Sequence, residues 1–137
     1  MRHAVTMRFT EHELTAALTG AAKDVLAAQD KDARKGRTTP DELWEGLGKF
    51  QRFQLLDGLG DQLLPVLVAL PDVDVEVGTR PTFTEEQIIA AVEERLGGER
   101  GMKRKVLLKA RVALVQLALS HVPPRQDPDA LIVPDHL

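Results

Sequence analysis

The run Met102-Lys-Arg-Lys-Val-Leu-Leu-Lys-Ala-Arg-Val-Ala-Leu-Val-Gln-Leu-Ala-Leu-Ser-His121 decides the fold class. From Val106 to Leu119 only Lys109, Arg111 and Gln116 interrupt the apolar residues, and the stretch falls short of the roughly 20 residues that a membrane-crossing helix needs. It predicts a long core helix that Pro123 and Pro124 stop. Lys105, Lys109, Gln116 and Ser120 fall on one narrow polar stripe, which places the helix in the middle of a bundle and makes it the expected most buried element.

Working back from there, Thr84 and Gln87 spell a capping box, and Phe83 and Ile88 occupy the positions of a hydrophobic staple, so a helix starts here and ends near Gly97. Val73, Val75 and Val77 alternate with Asp74 and Glu76, the period of a short strand. Gly58 and Gly60 predict a break before a short helix from about Asp61 to Leu70, with Pro65 close enough to its first turn to be tolerated. Thr39, Pro40 and Glu42 start another helix, whose Leu43, Leu47 and Phe50 form one stripe while Trp44 and Leu55 lie on a second face.

Asp30 to Arg37 carries alternating charge and a glycine, which predicts a solvated loop. Before it, Thr10 and Glu13 cap a helix with Leu14, Leu18, Ala21 and Val25 on its inner stripe, and His3 to Phe9 alternates as a strand would. Phe9-Thr-Glu-His-Glu-Leu-Thr-Ala-Ala-Leu18 echoes Phe83-Thr-Glu-Glu-Gln-Ile-Ile-Ala-Ala-Val92. A duplicated strand–helix unit would explain the echo, but shared helix-start grammar explains it more simply.

The expectation is therefore a mainly α protein: an irregular bundle of about five helices with a minor two- or three-stranded β element from the Val5, Val73 and Leu131 segments. Residues 1–137 make one helical domain, with 123–137 as a loosely ordered C-terminal tail. Apolar residues at 43% and charged residues at 28% match a globular protein. Cysteine is absent, so disulfides and thiolate chemistry are excluded. No signal peptide is visible, which points to the cytoplasm. The lack of Asn and Tyr beside abundant Ala, Leu, Val and Arg suits a G+C-rich bacterial coding sequence.

The chemistry on offer is thin. Ser120 and His121 are sequence neighbours that point about 100° apart on a helix, so they make a poor nucleophile and base. His3, His12, His121 and His136 lack the spacing that sets two imidazoles on one helical face. Gly58-Leu-Gly60 and Gly97-Gly-Glu-Arg-Gly101 match no phosphate-binding loop. No catalytic residue, metal or cofactor is assigned.

Two surfaces stand out. Trp44, Phe53 and Leu55 lie off the main stripe of their helix and suit a protein partner or a second copy of the chain. Arg100, Lys103, Arg104, Lys105, Lys109 and Arg111 cluster at the start of the last helix and suit a phosphate backbone. Against that second use, the chain carries a net charge of −3 and the cluster holds no aromatic for base stacking. A protruding first turn whose lysines extend into solvent and pair with acidic neighbouring helices is the simpler meaning. The function expected is a non-catalytic interaction or regulatory protein working as a homodimer. The alternatives are a DNA-binding regulator using the basic cluster and, behind it, a small-ligand binder or enzyme with a pocket between helices. No membrane partner is expected.

Overall fold

The computed structural model describes residues 5–6, 9–71 and 74–125. In chain order these form β1 (Val5–Thr6), α1 (Glu11–Gln29), α2 (Lys31–Arg34), α3 (Pro40–Glu45), α4 (Lys49–Ala69), β2 (Asp74–Val75), α5 (Glu85–Arg95) and α6 (Gly101–Leu119). The protein is mainly helical, with six helices among the described residues rather than about five.

Three helices begin where local hydrogen bonding predicts. Thr10, Thr39 and Thr84 each accept the backbone N–H three residues on, and Glu13, Glu42 and Gln87 each accept the threonine's own N–H in return. Each box therefore satisfies two of the donors that a helix start leaves open. The two echoing segments also meet in space. The rings of Phe9 and Phe83 pack with centroids 6.2 Å apart, so the starts of α1 and α5 share a corner of the fold.

The middle of the chain is divided differently from the expectation. The helix that begins at Pro40 ends at Glu45, and α4 then runs unbroken through Gly58, Gly60 and Pro65. The break falls at Gly46-Leu47-Gly48, where Gln51 Oε1 accepts the Gly48 N–H at 3.0 Å. Glycine inside a helix costs only about 1 kcal/mol, and α4 offsets this by burying Leu59, Leu63, Val66 and Leu67 along one face. Asp61 and Pro65 are both exposed, which leaves water to replace the donor that proline lacks. The solvated loop expected from Asp30 to Arg37 also contains α2, a single turn whose start is capped by Asp30 Oδ1 accepting the Ala33 N–H at 2.9 Å.

The β element is a further correction. The expected two- or three-stranded element is reduced to one antiparallel pairing of two residues on each side, Val5 with Val75 and Thr6 with Asp74. Two rungs add little stability of their own, and the helices carry the fold. The Leu131 to Val133 segment lies outside the described residues.

One hydrophobic cluster joins the elements. Helix α1 packs on α3, α4 and α6, while α5 packs on α4 and α6. Leu63, Val66 and Leu67 of α4 meet Ala17, Ala21 and Ala22 of α1, Ile88 and Val92 of α5, and Val115 and Ala118 of α6 in that cluster. The stripe of α1 thus lies one position round from the one predicted: its small residues are buried, and Leu14 and Leu18 pack half-buried at the edge.

Helix α6 is not the most buried element. Of its residues only Val112, Val115 and Ala118 are buried, and Met102 and Val106 in its first half are exposed. Its apolar character had suggested neighbours on all sides, but α1, α4 and α5 cover only part of its circumference.

Two substitutions check this layout. Leu63→Ala removes a fully buried side chain and is expected to lower the unfolding free energy by about 2–5 kcal/mol, read from the denaturant midpoint. Gly58→Ala is expected to raise it by about 1 kcal/mol, because a Cβ there meets nothing within 4 Å and the position lies inside a continuous helix. A helix broken at Gly58 would give no such gain.

Candidate functional site

Two polar contacts span most of the chain and decide what its ionisable groups can do. The first joins Glu13 to Arg125. Arg125 Nε donates to Glu13 Oε2 at 2.8 Å and Nη2 donates to Oε1 at 3.0 Å, a bidentate pair. The same Oε1 accepts the Thr10 N–H at 2.9 Å, so the carboxylate closes the α1 capping box and holds the guanidinium at once. Glu13 is only 3% exposed and is the one buried charged residue of the described core.

The backbone of Arg125 is fixed as well. Its N–H donates to Thr79 O and its carbonyl accepts the Gly78 N–H, both at 2.7 Å. Gly78 turns there at φ +86°, a conformation that suits glycine. Val122 is buried just before. Residues 122–125, expected in part to begin a loose tail, are therefore docked across the loop that precedes α5 and the start of α1.

The second contact joins Asp24 Oδ2 to His121 Nε2 at 2.6 Å. The imidazole lies over Gly20 of α1, where any Cβ would overlap the ring. Ser120, the sequence neighbour of His121, turns its hydroxyl to the Leu117 carbonyl at 2.6 Å. Serine and histidine thus take different partners, as their helical spacing requires, and neither activates the other. Among the described residues there is no group of three or more His, Asp or Glu side chains placed to hold a metal ion.

The aromatic surface read from the sequence separates into two parts. Trp44 is buried at 8% exposure and belongs to the core, so it is not available as a contact residue. Arg52 covers it, with Cζ 5.8 Å from the ring centroid. Arg52 also donates to the carbonyls of Trp44 and Glu45 at 3.1 Å, which latches α4 to the end of α3. Leu55 is half-buried against the core. Phe53 is the member of the set that reaches solvent, at 64% exposure, and Phe50 beside it is 70% exposed. The sequence had placed Phe50 on the inner stripe; the break at Gly46–Gly48 resets the helix and turns it out.

The basic cluster is real but only loosely gathered. Arg100, Lys103, Lys105 and Lys109 are exposed, and Arg104 and Arg111 are half-buried. The ion pairs of the described residues involve Lys23, Arg37, Arg52, His121 and Arg125, so the cluster makes none with the acids of neighbouring helices. Helix α6 also has no acid in its first turn and no side-chain cap. Lys105 and Lys109 line an open groove of about 520 Å³ between α5 and α6, with Glu85 and Gln116 as its other polar members and Ile89, Leu108 and Val112 among its apolar ones.

Sequence reasoning missed both long-range pairs. Glu13 was legible as a capping residue, but nothing in the local pattern announces a partner 112 residues away. Gly20 was the faint signal for His121: a glycine in an otherwise strong helix often marks a close approach. Among the described residues no helix is long and apolar enough to cross a membrane. No family model, curated protein or solved structure matches the chain.

The buried pair gives a direct test of this geometry. Arg125→Ala strands the Glu13 carboxylate without its cation and is expected to cost about 3–5 kcal/mol of stability, measured by denaturant unfolding. Arg125→Lys should recover only part of that loss, because an ammonium cannot reproduce the two parallel N–H donors.

Proposed function

We propose that this chain is a non-catalytic protein–protein interaction or regulatory protein that works as a homodimer. The observation that carries this reading is the set of large apolar side chains left in solvent at helical contact spacing. Phe50 and Phe53 stand three apart at the start of α4; Met102 and Val106, 73% and 61% exposed, stand four apart at the start of α6. Residues at these spacings are neighbours on one face of a helix, so each pair forms a continuous apolar strip. Aromatic and methionine side chains of this kind are the usual anchors of protein contacts.

The ionisable groups support the non-catalytic part. Glu13, Arg125, Asp24 and His121 are each committed to a contact that holds α1 to the C-terminal segment. Phe53, with Phe50 in place of the buried Trp44, supplies one of the two exposed apolar pairs from which a contact surface can be built.

A second reading is a DNA-binding regulator. It is favoured by Arg100, Lys103, Lys105 and Lys109, which are exposed and form no ion pair among the described residues. Phosphate contacts of this kind make affinity fall steeply with salt.

Light scattering on a gel-filtration column separates the two. The chain has a mass of 15.1 kDa, so a homodimer is expected at about twice that value, 2 × 15.1 kDa. A mass of one chain at every concentration up to the millimolar range would overturn the homodimer. Comigration of a monomer with a DNA duplex at low salt, lost at moderate salt, would put the second reading first.

A further inference from the structure

The outer face of the α5–α6 pair carries opposite charges on its two helices. On α6, Met102, Lys105, Val106, Lys109, Ala113 and Gln116 are all exposed along one side. On α5 the exposed side is Glu86, Ala90 and Glu93. The spacing of four and three residues puts these three on one line of the helix. Neither the lysines nor these glutamates make an ion pair among the described residues. The face therefore consists of a basic strip with apolar residues on α6, an acidic strip with a small residue at its centre on α5, and a groove between the two helices whose α5 side is Glu85 and Ile89.

We propose that this face seats a second copy of the same chain, with α6 of each copy laid on α5 of the other to form a four-helix bundle across a two-fold axis. The inference rests on the homodimer reading and assigns its surface. A face with one sign of charge on each half is self-complementary under a two-fold rotation, because the rotation exchanges the halves. An axis parallel to the two helices keeps every residue at its own level along the bundle.

The levels match. Helices α5 and α6 are joined by the short connection 96–100 and pack side by side, so they run antiparallel and distances can be counted from that connection. At 1.5 Å per residue, Lys109 lies about 12 Å into α6 and Glu86 about 14 Å back along α5. Lys105 lies about 6 Å in and Glu93 about 3 Å back. The rotation thus brings Lys109 to the Glu86 level of the other copy and Lys105 to its Glu93 level. Val106, about 8 Å in, then faces Ala90, about 8 Å back, where the small alanine allows close approach, and Met102 lies beside the connection. An acidic segment of another protein would satisfy only the lysines of this face and leave Glu86 and Glu93 with nothing to meet. A second copy satisfies both strips.

Two charge-reversed variants of the full chain test the pairing. Lys105→Glu with Lys109→Glu sets acid against acid in a homodimer; Glu86→Lys with Glu93→Lys sets base against base. Each is expected to weaken self-association on the order of 100-fold, seen as a shift to the one-chain mass in sedimentation or light scattering. Mixed in equal amounts, the two are expected to restore a dimer containing one chain of each, since every reversed strip then meets its opposite. Restoration on mixing also shows that both variants fold. A wild-type protein that stays monomeric overturns both this inference and the homodimer reading. A wild-type dimer that neither reversal weakens, or reversals that weaken it without rescue on mixing, overturns the α5–α6 face alone and leaves self-association to another surface such as Phe50 and Phe53.

Discussion

A carboxylate withdrawn from water must be met by a cation and by hydrogen-bond donors, and the arrangement around Glu13 meets that demand from two ends of the chain. Its two oxygens take the Thr10 N–H and two donors of Arg125. Because Arg125 is in turn tied through its backbone to Gly78 and Thr79, one buried charge fixes the entry to α1, the loop before α5 and the segment that follows α6. The packing of Phe9 on Phe83 closes the same corner with apolar contact. The surrounding helices hold their mutual positions partly because this corner cannot open without stranding a charge.

Around that corner the bundle is built on small residues. Ala17, Gly20, Ala21 and Ala22 of α1 allow the backbones of neighbouring helices to approach, and the bulk that fills the space comes from α4. Helix α4 is therefore the centre of the core, and α6 is a helix of two halves. Its second half holds the buried Val112, Val115 and Ala118, and its first half carries exposed lysines and exposed apolar residues.

How much of this was legible in the sequence depends on the range of the interaction. The three threonine capping boxes could be read directly, because both partners of every bond lie within three residues. The break at Gly46–Gly48 and the continuity through Gly58 and Gly60 could not. A glycine's preference for a break is weak, and here the burial of Leu59 and Leu63 on one shared face decides the matter. Trp44 and Phe53 show the same limit. Their helical angles suggested a shared outer face, yet they belong to different helices, one turned inward under Arg52 and the other outward. The basic cluster was plain as a list of residues, but its lack of ion pairs, and its place beside an acidic strip, depend on tertiary structure.

The contact of His121 with Gly20 and Asp24 bears on the time course of folding as well as on the native state. It joins residues 97 positions apart, and the chain must close that loop before the contact gives anything back. A contact that forms only after the transition state leaves the folding rate almost unchanged when it is lost and speeds unfolding. The docking of the α6 end onto α1 therefore carries a closure cost, across 97 positions of the chain, that the contacts within each helix do not.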